Sequence, residues 1–345
     1  LAGNAVVAKP DHHSMLTALL GAQLLEEAGF PPDLWQVVAG PGSEVGPALI
    51  GQADYICFTG STATGKRVAQ GCADRLIGCS LELGGKNPIL ILRDADLEKA
   101  AEGAVRACFS NAGQLCVSTE RMFVADQIYD RFMERFVARA EAMSVGASLE
   151  WGLDMGSLIS QTQLDAVVAQ VEDAKAKGAR VLAGGRHRPD LGPFVFEPTI
   201  LEGVTPDMTC FGHETFGPVV SVYRFHDEGE AIARANDGDY GLNAAIYSKD
   251  GARARAIAQQ IKCGTVNVNE AFGATFASID SPMGGMRESG LGRRQGAEGI
   301  WRYTEPQSVA TQRAMRFSPM FGMSDESYAK VMTGSLRVMK KLGRA

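Results

Sequence analysis

No stretch of this 345-residue chain approaches the roughly eighteen apolar residues of a membrane span, and its amino terminus lacks the charged-then-apolar order of a secretion signal. None of its seven cysteines falls in a Cys-x-x-Cys pair, which excludes a disulfide framework and a zinc site. A soluble chain in a reducing cytoplasm, with no resident metal and no membrane partner, is the expectation. A basic stripe is missing as well: 34 Lys and Arg stand against 40 Asp and Glu, spread to a net charge of −6, so nucleic acid is not an expected partner. There is no internal repeat or low-complexity segment, and no initiator Met. The first apolar strand begins at Ala5, almost at once after Leu1. Cleavage at the threshold of a buried strand is unusual, so the expectation is a piece of a longer polypeptide.

What is present is enough apolar matter, 45% of the chain, for a large core in more than one domain. Short apolar runs alternate with amphipathic stretches: Ala5 to Ala8, Met15 to Glu27, Trp35 to Val38, Glu44 to Ile50, Tyr55 to Phe58. This βαβαβ order predicts a parallel doubly wound sheet that binds ligands at the carboxyl ends of its strands. From Pro88 the pattern restarts, with a strand over Ile89 to Leu92, a helix over Leu97 to Phe109 and a strand over Met122 to Val124. Helices over Ile128 to Met143 and Leu164 to Lys177, strands over Val219 to Phe225 and Val266 to Val268, and a turn at Gly184-Gly185 come after them. The last residues turn basic (Arg337, Lys340, Lys341, Arg344), which reads as a solvated terminus.

Two residues carry the chemistry. Cys116 ends the run Phe109-Ser110-Asn111-Ala112-Gly113-Gln114-Leu115-Cys116, and Glu82 stands upstream in Leu81-Glu82-Leu83-Gly84-Gly85-Lys86. A thiolate nucleophile and a separate carboxylate base suit a two-stage reaction, in which a covalent thioester forms and an activated water then releases it. Each half alone has a plainer reading: Cys116 as a small buried hydrophobe, and Glu82 as a carboxylate paired with Lys86 at a strand end. A third signal is the turn Phe58 to Lys66, with Gly60, Ser61 and Gly65 after an apolar strand and before a helix expected over Lys66 to Gln70. Small residues there let backbone N–H groups approach a phosphate. The turn lacks the Gly-x-Gly-x-x-Gly spacing and by itself is equally an ordinary strand-to-helix connection.

Taken with Leu1 to Pro10, His213-Glu214-Thr215-Phe216-Gly217-Pro218-Val219 and Pro282-Met283-Gly284-Gly285-Met286-Arg287-Glu288-Ser289-Gly290-Leu291-Gly292-Arg293, these blocks resemble the aldehyde dehydrogenase superfamily from Leu1 to about Thr304. The wording of Arg75 to Ser80 and Gly103 to Ser118 is most similar to succinate-semialdehyde dehydrogenases of actinobacterial type. The resemblance implies an α/β fold made of the C-terminal part of a dinucleotide-binding domain (1–86), a catalytic domain (87–285) and a C-terminal return segment with a tail (286–345). It implies NAD(P)-dependent oxidation of a small aldehyde to its carboxylate, through a thiohemiacetal and thioester on Cys116 that Glu82 helps to hydrolyse. Lys9, Gly60, Ser61, Gly65, Leu83, Glu214 and Phe216 would contact the cofactor. His12 stands where NAD-restricted relatives often place a Glu, so NADP should be accepted alongside NAD.

For the substrate, Ser278 matches a loop serine of the succinate-semialdehyde enzymes, whereas Ser110 occupies the place of their carboxylate-binding Arg. Ser118 replaces a redox-sensing Cys, so no disulfide switch is expected. None of the five histidines sits near a catalytic position, against a Cys–His protease. The family's oxyanion-hole Asn belongs to a segment upstream of Leu1, and a full-length parent should be a homo-oligomer. Two alternatives stay open: a non-catalytic product that only binds or assembles, and a coenzyme-A-acylating enzyme, which the presence of Glu82 disfavours.

Overall fold

The computed structural model describes residues 2–313 and 318–343. Residues 1–304 form one compact unit and residues 305–345 a second. In the first unit, β1 (Val6–Ala8) pairs in parallel with β2 (Trp35–Val37), the two being joined through α1 (Met15–Glu27). After α2 (Gly42–Gln52), β3 (Tyr55–Thr59) leads through α3 (Thr62–Asp74) to a parallel partner, β4 (Gly78–Glu82). The short strand β12 (Gly290–Leu291) returns along the other edge of β4, antiparallel.

The expected single doubly wound sheet of this region is instead two short sheets, β1–β2 and β3–β4–β12. Burial explains the weakness of the first. A doubly wound sheet needs apolar cover on both faces, but Val7 and Trp35 are 45% and 40% exposed, and α1 leaves Leu16, Leu20 and Leu24 in the open. The helix expected over Lys66 to Gln70 runs four residues further at each end, because Ser61 caps it and the poor helix formers Thr62 and Thr64 are carried in its first turn.

The main core is a seven-stranded sheet. Its strands are β5 (Asn87–Ile91), β6 (Thr119–Ala125), β7 (Arg180–Ala183), β8 (Thr199–Glu202), β9 (Val219–Phe225), β10 (Asn243–Tyr247) and β11 (Thr265–Val268), in the order β11-β10-β5-β6-β9-β8-β7. Every pairing is parallel except β7 with β8. All residues of β5, β6 and β10 are buried, as strands covered on both faces must be.

The helix α4 (Leu97–Phe109) buries Ala100, Ala101, Ala104, Ala107, Cys108 and Phe109, a face of mostly small side chains that lets it lie close to the sheet. Gly103 is part of that closeness, since a Cβ there would overlap the Tyr247 hydroxyl. Phe109 stacks on Phe136 of α5 (Tyr129–Glu141), and α6 (Gln161–Ala176) buries Leu164, Val167, Val171 and Ala174. In β6 the buried Arg121 donates to the carbonyls of Lys86, Arg234, Ala235 and Asp237, so the free end of the helix Glu228–Ala235 is tied to the strand just after Cys116.

The second unit holds the helix Asp325–Lys341, capped by Ser324, with Asp325 and Glu326 in its first turn and Lys340 and Lys341 in its last. Both charge placements suit the helix dipole, which accounts for the basic run near the end of the sequence; Arg344 lies outside the described residues. Among the described residues no helix is long and apolar enough to cross a membrane.

Candidate active site

Glu82 is the last residue of β4 and Cys116 lies just before β6, so both sit where strands begin or end rather than within the sheet. The approach to Cys116 is a tight left-handed coil: Asn111, Ala112 and Gly113 have φ of 52°, 53° and 69°. Two consecutive non-glycine residues in that region store strain that the surroundings must hold in place. At Gly113 no side chain fits, because a Cβ would overlap the Gly217 carbonyl. Two buried amides then fix the backbone from Cys116 to Ser118. The Asn87 Nδ2 donates to the carbonyls of Cys116 (2.7 Å) and Ser118 (2.8 Å), and the Asn243 Nδ2 donates to that of Val117 (3.2 Å). Asn87 is in turn oriented by the Asn243 N–H, 3.0 Å from its Oδ1.

The Cys116 thiol is pushed above its ordinary pKa, first by burial and then by the negative charges of Glu82 and Glu214, while its own N–H and Arg294 pull the other way. Glu82 is buried, and burial raises its carboxyl too, against the opposing charges of Arg294, Arg302 and Arg293. Its ion-pair partner is Arg294, with Nε 3.4 Å from Oε1. The plainer reading of Glu82 as the partner of Lys86 therefore fails. Lys86 is buried and pairs instead with Glu120 at 2.5 Å. An even spacing would keep the two side chains on one face of a continuous strand, but β4 ends at Glu82 and β5, in the other sheet, begins at Asn87.

Glu120 does more than neutralise Lys86. Its carboxylate also accepts from the Thr215 and Phe216 N–H groups at 2.8 to 3.0 Å, and Gln163 donates to the Thr215 and Phe216 carbonyls. Phe216, at φ 50°, is held in this way. The turn presents Glu214, whose Oε1 accepts from the Gly85 N–H at 2.7 Å, and Gly84 leaves the room that a side chain would take from the Glu214 carboxylate. Burial and the neighbouring Glu120 charge raise the Glu214 carboxyl to about 7.

A raised carboxyl has a definite sign. The folded chain binds this proton more tightly than the unfolded one, so the stability it contributes is present at acid pH and is lost as pH rises through about 7. Binding runs the other way. If ribose hydroxyls donate to Glu214, only the ionised form accepts fully, and the dissociation constant for NADP⁺ should rise up to about tenfold per pH unit below 7. Fluorescence titration between about pH 5.5 and 8 measures this, and Glu214→Gln should flatten the curve. An equally steep curve in Glu214→Gln would assign the dependence elsewhere.

The strand-to-helix turn can hold a phosphate. Ser61 caps α3 by accepting from the Thr64 N–H at 3.4 Å, and the first turn of α3 contains no acid. By contrast, Asp96, Asp227 and Asp250 fill the amino ends of their helices with carboxylates. A neutral cap leaves the partial positive charge of α3 open to an anion. Gly65 packs against Leu83, where a Cβ would overlap the leucine, and this contact joins the turn to the Glu82 segment.

Lys9 and His12 lie at the other small sheet, and among the described residues no hydrogen bond or ion pair links them to the Cys116 cluster. The Lys9 ammonium donates to the Pro10 carbonyl and lies beside the amino end of α2. His12 is exposed, 3.6 Å from the Asp11 carboxylate that also accepts from His13, so it faces a negative charge contributed by its own neighbour in the chain. Ser278 is exposed and donates to the Ala274 carbonyl; Ser110 opens the left-handed coil, half-buried; Ser118 is buried, with no hydrogen-bond partner for its hydroxyl. Sequence reasoning missed Asn87, Asn243, Glu120 and Arg294. Only Glu120-Arg121 left a signal, as two charges directly before the apolar run Met122 to Val124.

A largely parallel seven-stranded sheet that carries a cysteine at the start of one strand, with a smaller sheet that carries a carboxylate and a phosphate-compatible turn, has the architecture of an α/β dehydrogenase. The chain belongs to the aldehyde dehydrogenase family, whose model matches residues 1–309. It is 52% identical over 342 residues, 99% of its length, to a Mycolicibacterium smegmatis protein named "Putative succinate-semialdehyde dehydrogenase", NADP(+). It is 41% identical over 309 residues to a betaine aldehyde dehydrogenase of Cereibacter sphaeroides, covering 89% of this chain and 63% of that one. Among solved structures, it resembles the NAD⁺ complex of an aldehyde dehydrogenase from Bacillus cereus, with a TM-score of 0.83 and 38% identity over 87% of this chain and 61% of that one. The chain spans 66% of the length of the Mycolicibacterium relative.

Proposed function

We propose that this polypeptide carries the catalytic centre of an NAD(P)-dependent aldehyde dehydrogenase that converts a small aldehyde to its carboxylate. The observation that carries this reading is that the segment directly after the buried Glu82 joins the two other groups of the site: Gly84 leaves room for the Glu214 carboxylate, and Gly85 donates to it and lies against the Cys116 carbonyl. Cys116 gives up its proton to solvent and attacks the carbonyl carbon as the thiolate: an S–C bond forms, the carbonyl π bond opens, and the Cys116 N–H helps to hold the oxygen as it gains charge. Bound NAD(P)⁺ supplies the hydride acceptor. Glu82 then takes a proton from water, the water oxygen attacks the thioester carbon, and the C–S bond breaks to return the sulfur to Cys116. The balance is aldehyde, NAD(P)⁺ and water to carboxylate, NAD(P)H and two protons.

Lys9, His12, Gly60, Ser61, Gly65, Leu83, Glu214 and Phe216 form the cofactor side, within residues 1–86 and the turn that reaches it from the catalytic part at 87–285. Succinate semialdehyde or a similar small aldehyde is the proposed substrate, with Ser278 and Ser110 on its path; the naming of the 52%-identical relative supports this choice. The direct test is NAD(P)H formation matched one to one by acid in the absence of coenzyme A. Acid without NAD(P)H, or a requirement for coenzyme A, would overturn the reading.

NADP⁺ should serve at least as well as NAD⁺, because the residue at position 12 is an imidazole and carries no fixed negative charge. His12→Glu should shift preference toward NAD⁺ by about tenfold through repulsion of the 2′-phosphate. Comparison of kcat/KM for the two cofactors checks it, and an unchanged ratio would remove His12 from the ribose site.

A further inference from the structure

Three arginines surround the buried Glu82, and they are not equivalent. Arg293 is committed to the carbonyls of Gly285 and Gly292, and Arg302 to that of Arg293. Arg294 alone comes within ion-pairing distance of the carboxylate. Its position is imposed twice: its backbone pairs with Met283 in an antiparallel bridge, and its Nη2 donates at 2.8 Å to the Oγ1 of Thr59, the register partner of Glu82 on β3. Gly284 leaves space on the remaining side, where a Cβ would stand 3.3 Å from Glu82 Oε1.

The pair is offset. Glu82 Oε1 and Arg294 Nε are both buried, and at 3.4 Å neither has a hydrogen-bond partner. A fully aligned bidentate pair would occupy the carboxylate lone pairs. This arrangement supplies charge and leaves an acceptor open.

We propose that Arg294 is a positioning residue that keeps the Glu82 carboxylate ionised and oriented with a free lone pair for the attacking water, a role that rests on the reading of Glu82 as the base. The charged and titratable groups facing Glu82 are Arg293, Arg294 and Arg302 from the returning segment and the Cys116 thiol from the left-handed coil; Thr59 on β3 is uncharged. Burial pushes Glu82 toward the neutral form, and an opposite charge at this range opposes it. Without Arg294, the base should stay protonated to higher pH.

The test reads Glu82 directly in the 345-residue chain, by infrared difference titration of the protonated-carboxyl band that Glu82→Gln removes. Arg294→Gln should raise the midpoint by about one pH unit, and Arg294→Lys should restore most of it. Thr59→Val, which leaves every charge in place but frees the guanidinium, should raise it by less and covers the case in which Arg294→Gln fails to fold. In stopped-flow assays the amplitude of the NADPH burst should stay within about twofold of the parent, while the acid limb of steady turnover moves to higher pH. Unchanged midpoints in the folded variants overturn the proposal, as does a burst that falls in parallel with turnover. A shifted midpoint together with normal turnover in Glu82→Gln would instead overturn Glu82 as the base and leave the coupling standing.

Discussion

Cys116→Ser should abolish aldehyde oxidation, and Glu82→Gln should leave a single burst of NAD(P)H followed by near-arrest. On the proposed mechanism the two outcomes differ because the residues act in different halves of the reaction. An alcohol is a far poorer nucleophile than a thiolate, and the substituted serine would have no histidine to activate it, so the first bond never forms. With Glu82→Gln the thioester forms, and hydride leaves once per site. Water then has no base to deprotonate it, and loss of a general base slows a step by about 10²–10⁴-fold. Burial of Glu82 also has a consequence for neutral variants. Gln removes the counter-charge of Arg294, but the Arg294 side chain is 37% exposed to solvent and keeps its bond to Thr59, so folding should survive. Rapid mixing of each substituted protein with an aldehyde and NADP⁺ gives the burst amplitude and the steady rate. Steady turnover by Cys116→Ser would end the assignment of the nucleophile, and parent-like turnover by Glu82→Gln that of the base.

Much of this was legible from residue order, for a physical reason. The helix Leu97–Phe109 matches its predicted bounds because its apolar residues recur with the helical period, and the helix Met15–Glu27 and the strand Val219–Phe225 match theirs because each is an apolar run closed off by polar or turn-forming residues. Short strands with polar ends, such as β10 with its buried Asn243, carry no such period; what buries Asn243 is its role as donor to Val117 and Ala271, which only the assembled sheet reveals. The site divides in the same way. Cys116, Glu82 and Glu214 stand in blocks whose wording is distinctive, whereas their supports come from residues distant in sequence: Glu120 reaches the 214–216 turn across 95 positions, and Arg294 reaches Glu82 from the returning segment. Partner choice was the weakest inference. Lys86 and Glu82 are close in sequence, yet the chain leaves one sheet after Glu82 and enters the other at Asn87, so the two charges are matched by Glu120 and Arg294 instead.

Glu120→Ala should unfold the catalytic part more readily than any single truncation on its surface. The substitution strands the Lys86 ammonium, which is buried, and removes the acceptor for both the Thr215 and Phe216 N–H groups. Breaking a buried pair by removing one partner costs about 3–5 kcal/mol, because the remaining charge is left uncompensated. A domain has only about 5–15 kcal/mol in total. Lys86→Met in the same chain should recover part of the loss by removing the stranded charge, though the two N–H groups stay unsatisfied. Glu120→Gln separates charge from hydrogen bonding. It retains one carbonyl acceptor for the turn, but the negative charge that helps raise Glu214 disappears. The pH midpoint for NADP⁺ binding should therefore fall toward the ordinary carboxylate range even as stability drops. Urea unfolding of the three variants gives the stability order, and fluorescence titration of Glu120→Gln gives the midpoint. A Glu120→Ala chain as stable as its parent would mean that the Lys86 cation finds water or another partner, and that the 214–216 turn is held by Gln163 and Gln170 without the help of the buried pair.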